Sequence, residues 1–538
     1  MSDVSTSGWD VVSITDLETI NKIINTDKLY PDDFSQTDGD AGDDISISGK
    51  WGAWTVTGNA SGAKVNIRCE ITEGTAVYSS KNYDLNGSSG NSFIEIELSL
   101  KGISAEPDKW AASSNDTVVD STRCYQLMAD ADSTVVIADS SFPGIESHVL
   151  QLLLPELFKE WFNSNIDKFK QIFSVILIGL EAGNSDFQWL YPSAYSYAAN
   201  SSIDGNTTGF GVLTLIDGKT DTGNLQQSVD IQALNLVKTY GANLALVVSK
   251  AMFVKHILLP AAISIVKGSS EDDFTFSDTG LSLSNNREIV WQDFEDGNGG
   301  TFSPVLPKES FVLTLQSDFI HLSIANAHYR PNGMCTVSMG VEQNFRYKVE
   351  KNASGDPVFV PDETGLGDAT VLCTVKPDKW VDVMDIVLGA ISVVAAVLAV
   401  GSFGAAWFAG RAATTIAEDA AEEMVMFTVE GVDLAGDESV TTIEEISTAA
   451  EEVALGRNIA PTLSNAVKVF AAITAITGTP AAITGIIEGI YKGKYDDVPS
   501  FHSFARAITG SAVWPNIKNT ELKSASLADS FVIGLELK

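Results

Sequence analysis

Apolar and polar residues alternate along the first part of the chain. In residues 63–71 (AKVNIRCEI) the apolar positions are Val65, Ile67, Cys69 and Ile71, and residues 92–100 (SFIEIELSL) repeat the pattern. A period of two places successive side chains on opposite faces of a strand. Segments rich in Gly and Ser, such as 86–91 (NGSSGN), separate these runs. The pattern predicts an antiparallel sheet with one apolar face.

Between residues 150 and 173 the apolar spacing changes to three and four. The residues that follow it are Leu150, Leu153, Leu154, Leu157, Phe158, Trp161, Phe162, Ile166, Phe169, Ile172 and Phe173. This stripe predicts an amphipathic helix, with Pro155 in its first turn or at a kink. A second stripe runs from Leu244 through Val248 and Met252 to Leu259, and predicts another helix that ends at Pro260.

Strand patterns occupy most of the remaining chain. The segments are 174–180, 187–198, 209–216, 273–283, 310–329, 335–348 and a closing strand at 528–538. An apolar sheet face needs a cover, and the amphipathic helices between the strand sets can supply it. We therefore predict an α+β fold in which antiparallel sheets wrap around long helices. Four segments are expected: a sheet-and-helix unit at 1–265, a second β-rich unit at 266–380, a helical insertion at 381–495 and C-terminal strands at 496–538.

The predicted insertion contains a long uncharged run. Residues 386–410 hold twenty-five consecutive residues without a charge. As a helix they reach roughly 37 Å, against about 30 Å for a hydrocarbon core. Gly401, Ala405 and Ala409 lie four apart, a spacing that lets helices approach closely, and the uncharged segment 469–487 is the expected partner. Chain 381–491 as a whole is predicted to be helical.

Three interpretations of this hairpin stay open. It can be buried within the protein or cover a sheet edge, it can insert conditionally into a membrane, or it can be a permanent anchor. A loop pattern of positive charges that would set a membrane topology is missing, which counts against the anchor. The side chains expected to contact a bilayer are Val397, Leu398, Phe403, Trp407 and Phe408.

The charge balance limits the partners. The 538 residues include 34 Lys and Arg against 70 Asp and Glu, a formal net charge of −36. Such a protein repels phosphate, so we expect no nucleic acid partner and no electrostatic docking on anionic lipid. The start of the sequence has neither the basic region nor the apolar core of a signal peptide. We expect synthesis into the cytosol, with any release to the medium by a non-classical route.

Residues for metal binding or catalysis are sparse. Four widely spaced cysteines without a CxxC pair count against zinc or a disulfide scaffold and are interpreted as small hydrophobes. His321 and His328 are seven apart on one predicted strand and are expected on opposite faces. The acidic cluster 38–44 lacks the twelfth-position acid of a calcium loop, since that position is Gly49. Without GxSxG, Walker or HExxH motifs, we expect no enzyme activity, metal or cofactor.

Short aromatic motifs carry a family resemblance. They are Gly8-Trp9-Asp10-Val11-Val12, Trp51-Gly52-Ala53-Trp54, Trp189-Leu190-Tyr191-Pro192, Tyr197-Ala198 and Val513-Trp514-Pro515. In this order the chain resembles the OrfX-type and forty-seven-kilodalton accessory proteins encoded beside botulinum-type neurotoxin genes. The resemblance implies a TULIP (tubular lipid-binding) fold, in which a strongly curved antiparallel sheet wraps a long helix and its apolar interior receives lipid. It also implies a role in toxin delivery or protection or in an insecticidal system, with companion toxin-cluster proteins as partners and no catalytic residues.

These observations predict a non-enzymatic protein that binds lipid or another apolar ligand. The candidate ligand residues are Leu154, Phe158, Trp161, Phe162 and Phe169 from the first helix, with Val248 and Met252 from the second. Ordinary core packing is the alternative interpretation for each of them. Two other functions stay open: a membrane-inserting toxin component that uses 386–410 and 469–487, and a structural assembly partner whose groove is filled by protein.

Overall fold

The computed structural model describes fifteen segments of the chain. They are residues 3–38, 45–58, 64–88, 90–104, 125–169, 193–203, 205–266, 268–291, 294–295, 301–330, 335–351, 357–362, 370–377, 425–429 and 520–537. These residues divide into two compact units. The N-terminal unit holds the described residues up to 249 together with 520–524 and 532–537, and the C-terminal unit holds those from 250 to 429 together with 525–531.

Strands predominate in the first part of the chain. Its elements are β1 (Val11–Asp16), α1 (Leu17–Thr26), β2 (Asp33–Asp38), β3 (Ile45–Thr57), β4 (Lys64–Tyr78), β5 (Lys81–Asp84), β6 (Ser92–Ser104), β7 (Tyr125–Ala129), β8 (Val136–Ser141), α2 (His148–Ser164), β9 (Ala194–Ser201), β10 (Thr208–Leu215), α3 (Ile231–Lys238) and β11 (Leu244–Val248). A single 3₁₀ turn, Ile166–Lys168, follows α2.

The second part begins with helix and continues with strands. Its elements are α4 (Lys250–Phe253), α5 (Leu259–Ile265), β12 (Phe274–Phe276), β13 (Ser282–Asn285), β14 (Ile289–Val290), β15 (Phe294–Glu295), β16 (Thr301–Phe302), β17 (Val305–Leu306), β18 (Phe311–Leu315), β19 (Ile320–Tyr329), β20 (Cys335–Lys351), β21 (Pro357–Asp362), β22 (Thr370–Pro377), β23 (Val425–Val429), β24 (Thr520–Leu527) and β25 (Phe531–Leu537).

A seven-stranded antiparallel sheet forms the first layer of the N-terminal unit. Its order is β2-β3-β4-β6-β7, with β5 also paired to β4 and β8 to β6. The alternation seen in the sequence is confirmed, because Val65, Ile67 and Cys69 of β4 and Ile94 and Ile96 of β6 are all buried. This apolar set defines the inner face of the sheet.

Two residues of the expected polar face, Asn66 and Glu95, are buried. Glu95 of β6 is only 3% exposed. Its carboxylate accepts hydrogen bonds from Arg68 Nη2 at 3.1 Å, Asn66 Nδ2 at 3.3 Å and Thr57 Oγ1 at 3.2 Å. Burial of a carboxylate is tolerated when a cation and donors satisfy it. Period alone could not predict this, since the partners come from two other strands.

A second sheet, most of whose residues belong to the N-terminal unit, has six strands in the order β24-β25-β11-β1-β10-β9. The predicted closing strand is therefore confirmed as β25. All residues of β1 and β11 are buried. The predicted helix over 244–260 is wrong at its start, because Leu244–Val248 is the strand β11 and Val248 lies in it. A short apolar run fits a buried strand as well as a helix, and the β-branched pair Val247-Val248 favours the strand.

Helix α2 confirms the first predicted helix over most of its length. It begins after Ser147, whose side chain accepts from the N–H of Leu150 at 3.5 Å, and it ends at Ser164. Pro155 lies in the helix interior, so of the two alternatives predicted for it, the first turn or a kink, the first turn is wrong. Phe169 follows the 3₁₀ turn and is buried, and the rest of the predicted stripe lies outside the described residues.

The C-terminal unit places a helical segment on a ten-stranded sheet. Helix α4, a π-helical turn (Val254–Leu258) and α5 follow one another, so this helix continues past Pro260 to Ile265, where the prediction ended it. Proline has no N–H and clashes with the carbonyl four residues earlier, which accounts for the widened turn before it. The π-helical turn contacts β13 and β18. Met252 is buried in α4.

The ten-stranded sheet corrects two further predictions. A bulge in β19 between Ile324 and Ala327 shifts the register by one residue, so His321 and His328 lie on the same, partly exposed face. Strand β23 pairs in parallel with β22, within a region that was predicted to be helical throughout. Its sequence, VMFTV, is rich in β-forming residues.

The uncharged runs 386–410 and 469–487 lie outside the described residues, as do Val397, Leu398, Phe403, Trp407 and Phe408. In the described segments, no helix combines the length and the apolar character needed to cross a bilayer.

Candidate apolar ligand site

Helix α2 covers part of the inner face of the seven-stranded sheet. Its buried residues are Leu150, Leu154, Leu157, Phe158, Trp161 and Phe162. The helix contacts β2 on one side and β8 on the other. Its first two turns also carry apolar side chains that face solvent, with Val149 52% and Leu152 76% exposed. The buried side of the helix and the inner face of the sheet form the candidate site.

An aromatic cluster fills the space between helix and sheet. We use this name for Tyr30, Phe34, Trp51, Trp54, Phe142, Phe158, Trp161, Phe162 and Phe169. The Trp51 ring lies 4.6 Å from Phe34, 5.1 Å from Trp161 and 5.5 Å from Phe162, measured between centroids. Trp54 stacks on Tyr30 at 5.1 Å. Each such pair contributes about 0.5–1.5 kcal/mol beyond area burial.

Five of the seven predicted ligand residues meet at this site. Phe158, Trp161, Phe162 and Phe169 belong to the aromatic cluster, and Leu154 lies buried on the same side of α2. The other two lie elsewhere. Val248 is in β11 of the six-stranded sheet, and Met252 is in α4 of the C-terminal unit. Their assignment to one site with α2 rested on a helix that is partly a strand.

A bulge in β3 brings two of the indoles together. Trp51 pairs with Ile71 and Trp54 with Cys69, so three residues of β3 span two residues of β4. In a regular strand an odd separation would put the two tryptophans on opposite faces. The extra residue turns both toward the inner face. The sequence motif WGAW shows the residues but gives no sign of this arrangement.

Two asparagines of α1 complete the edge of β3 where β2 no longer pairs with it. The Trp54 N–H donates to Asn25 Oδ1 at 3.2 Å, and Asn25 Nδ2 donates to the Trp54 carbonyl at 2.8 Å. Asn21 does the same for Val56, at 2.7 and 3.2 Å. Tyr30 Oη also donates to Asn25 Oδ1, at 2.7 Å. These side-chain amides replace a neighbouring strand and hold the Trp54 backbone in place.

The two indole N–H groups of the cluster are exceptions to this pairing. Trp51 and Trp54 are 6% and 0% exposed, and neither Nε1 has a hydrogen-bond acceptor among the described residues. Trp9 is equally buried, yet its Nε1 donates to the Gln226 carbonyl at 2.9 Å. An unpaired buried donor costs about 1–3 kcal/mol. The site therefore contains two donors with unused hydrogen-bonding capacity.

The surroundings of the cluster favour neutral groups. Burial raises the pKa of the Tyr30 hydroxyl, which keeps it protonated. Burial also raises the pKa of the Cys69 thiol well above its ordinary value, and the charge of Glu95 adds to this effect. In the described part of the chain, no group of His, Cys, Asp and Glu is arranged to hold a metal ion. The arrangement suits an apolar molecule with few polar atoms.

The other motif residues stabilise the fold. Gly8 has a φ of +89°, a conformation that favours glycine. The Asp10 carboxylate accepts from the Ile216 N–H at 2.9 Å and from Lys219 Nζ at 2.7 Å. The Tyr197 hydroxyl donates to the Leu100 carbonyl at 3.1 Å and accepts from its N–H at 2.6 Å, which joins the two sheets of the N-terminal unit. Trp189, Tyr191 and Trp514 lie outside the described residues.

The architecture is α+β, built mostly from antiparallel sheets with few helices. A solved structure shares it: the crystal structure of P47 of Clostridium botulinum E1 matches with a TM-score of 0.59 and 15% identity, over 99% of each chain. Sequence relatives carry the description "Protein OrfX3". The one from Clostridium botulinum (strain Kyoto / Type A2) is 23% identical over an alignment of 389 residues that covers 67% of this chain and 76% of the relative. The one from Paraclostridium bifermentans is 24% identical over an alignment of 440 residues that covers 76% of this chain and 85% of the relative.

The family model OrfX-like, described as "Protein OrfX2/OrfX3/P47", matches residues 6–410. The chain belongs to the OrfX-like family, and the resemblance seen in the sequence is confirmed.

Proposed function

We propose that this protein is a non-enzymatic carrier of a lipid or another apolar ligand in a toxin-associated bacterial system, either neurotoxin-accessory or insecticidal. The ligand lies between helix α2 and the inner face of the seven-stranded sheet. One observation carries the proposal: five of the seven side chains expected to hold ligand meet on one helix-and-sheet surface. The tubular lipid-binding fold implied by the family resemblance agrees with a helix lying on a sheet in each unit.

The free energy gained by burying the ligand restricts it to molecules with a long hydrocarbon chain. Burying a methylene contributes about 0.8 kcal/mol, so the fourteen methylenes of a sixteen-carbon chain supply roughly 11 kcal/mol. Lifting α2 would expose six buried apolar side chains, at about 1.5–3 kcal/mol each. A long chain can offset this cost if it takes over most of the contacts, whereas an eight-carbon chain, with roughly 5 kcal/mol, cannot. Binding is therefore expected to rise steeply with chain length.

The net charge of −36 influences the partners. It disfavours nucleic acid and anionic membrane surfaces, and leaves apolar ligands and companion proteins of the toxin cluster as the expected partners.

Native mass spectrometry of the purified full-length protein tests the proposal. We expect bound lipid masses on the wild type and identify them after extraction. Leu154→Ala and Leu152→Ala remove the same atoms from one helix, at a buried and an exposed position respectively. We expect about tenfold weaker lipid binding for Leu154→Ala, because two lost methylene-sized contacts are worth about 1.6 kcal/mol. No change is expected for Leu152→Ala.

Two results would count against a carrier. One is the absence of bound lipid from every preparation of the wild-type protein. If such a protein is instead isolated with a tightly bound protein partner, the result favours a structural assembly role. The other is equal lipid binding by Leu154→Ala and Leu152→Ala.

The uncharged runs of the sequence favour a second candidate, a membrane-inserting toxin component. Here residues 386–410 enter a bilayer, and the full-length protein is expected to release dye from neutral liposomes. Replacement of Val397, Leu398, Phe403, Trp407 and Phe408 by alanine should reduce the release strongly, because it removes the large apolar side chains that drive insertion. Release that persists after 386–410 is replaced by a polar linker would exclude this candidate, and the carrier function alone predicts no release.

A further inference from the structure

Two buried hydrogen-bond donors point into the aromatic cluster from one strand. Trp51 and Trp54 both lie on the inner face because the β3 bulge places them there, and neither indole N–H has an acceptor among the described residues. The polar groups beside them are paired: Asn25 and Asn21 bind the backbone of β3, and the Tyr30 hydroxyl binds Asn25. The two donors therefore stand out in a neighbourhood where other groups are satisfied.

We infer that Trp51 and Trp54 form the polar end of the ligand site and donate hydrogen bonds to the carbonyl of a long-chain acyl ester. This inference rests on the proposed function, because the ester is read as one end of the apolar ligand. The indole nitrogen can only donate, so its partner must be an acceptor. A pure hydrocarbon offers none.

The site is expected to bind an ester more tightly than a free fatty acid, because only the fatty acid carries a negative charge. The rings in contact with the two indoles are neutral, and Arg68, a cation of the neighbouring strand β4, is paired with Glu95. The negative charge of Glu95 acts on Cys69, which pairs with Trp54 in the β3–β4 ladder. A fatty-acid carboxylate beside the indoles would be buried without a counter-ion in the described aromatic cluster, which is strongly unfavourable. An ester carbonyl accepts the same hydrogen bonds without this cost.

The bulge argues for a role beyond packing. In a regular strand, tryptophans at positions 51 and 54 would lie on opposite faces, and only one indole would be on the inner face. With the inserted residue, both indoles are buried next to each other on that face. Their rings lie 5.5 Å apart at 89°. In this edge-to-face contact, the alternative for one of the indole N–H groups is a weak N–H···π hydrogen bond to the neighbouring ring. The two interpretations differ in what happens to ligand preference when the N–H groups are removed.

A competition experiment on the full-length protein tests the inference. Methyl palmitate, palmitate at pH 8 and hexadecane compete for a fluorescent acyl probe. The wild type is expected to bind methyl palmitate about tenfold more tightly than hexadecane or palmitate. Trp51→Phe/Trp54→Phe keeps an aromatic ring at both positions and removes both N–H groups, so the ester preference should disappear. In each single variant, Trp51→Phe or Trp54→Phe, the ester preference should fall about threefold. The single variants therefore test the inference if the double variant does not fold.

Trp9→Phe is the matched control. It removes a buried indole N–H that is already paired with Gln226, outside the aromatic cluster. The ester preference should stay about tenfold in this variant. An unchanged preference in Trp51→Phe/Trp54→Phe, or equal wild-type binding of ester and hexadecane, would overturn the inference while leaving the proposed function intact. If none of the three compounds binds the wild type, the proposed function itself fails.

Discussion

Replacing Trp54 by alanine is expected to lower the free energy of unfolding of the N-terminal unit by about 3–5 kcal/mol. The side chain is fully buried and contacts the rings of Tyr30, Trp51, Phe162 and Phe169. Its removal leaves a large cavity between α2 and the sheet. Loss of the unpaired N–H offsets part of the cost, because that donor no longer has to be buried. Urea unfolding followed by circular dichroism measures the change.

Leu152→Ala serves as the control for this prediction. Leu152 lies on the helix that covers the cluster, but its side chain faces solvent. Its replacement should change the free energy of unfolding by no more than about 0.5 kcal/mol. A loss below about 1 kcal/mol for Trp54→Ala would mean that the cluster is not packed as described.

Asn25→Ala is expected to cost about 2–4 kcal/mol, a large effect for a residue that lies near the surface. The change leaves the N–H and the carbonyl of Trp54 without partners, and each unpaired buried group costs about 1–3 kcal/mol. The Tyr30 hydroxyl also loses its acceptor. Urea unfolding gives the energy, and hydrogen exchange at the Trp54 amide reports the site directly, since that amide should lose its protection.

Two variants of α1 sharpen this test. Asn25→Asp keeps an acceptor for the Trp54 N–H but cannot donate to the Trp54 carbonyl, so its stability should fall between wild type and Asn25→Ala. Lys22→Ala changes an exposed residue of the same helix and should have no measurable effect. Unchanged protection of the Trp54 amide in Asn25→Ala would contradict the idea that asparagines complete this strand edge.

Regular hydrophobic patterns predicted the parts of the fold that follow a simple period. The alternation in β4 and β6 marked the inner face correctly, from Val65 to Ile96. The three-and-four spacing found α2 and with it Phe158 and Trp161. In both cases one side of the element contacts a core and the other contacts solvent. Only then does the spacing of apolar residues show whether a segment is a helix or a strand.

Elements that are buried on both faces, or that contain an irregularity, show no such period. Strand β11 is buried on both faces, so its apolar run carried no period, and Val248 was assigned to a helix. The bulges in β3 and β19 each add a residue that the hydrophobic pattern does not reveal. As a result, Trp54 and His328 lie on the opposite face of their strand from the one that regular alternation predicts. Helix α1 was missed although Leu17, Ile20 and Ile24 have helical spacing.

The polar part of the candidate site depends on contacts that are distant in sequence. Asn25 binds Trp54, which lies 29 residues further on. Glu95 is buried because Arg68 and Asn66 satisfy it from the neighbouring strand. Such pairings follow from the register of the sheet, and a single sequence does not contain that register.

Photo-crosslinking with a long-chain acyl ester that carries a diazirine in its chain tests whether a ligand lies between helix α2 and the sheet. The full-length protein is irradiated with bound ligand, digested, and mapped by mass spectrometry. We expect labels on residues 148–169 and around Trp51 and Trp54, and we expect these labels to be lost when unlabelled ester is added in excess. Label found only at exposed apolar positions such as Ile203 or Val290, or label that unlabelled ester does not displace, would contradict a ligand site between helix α2 and the sheet.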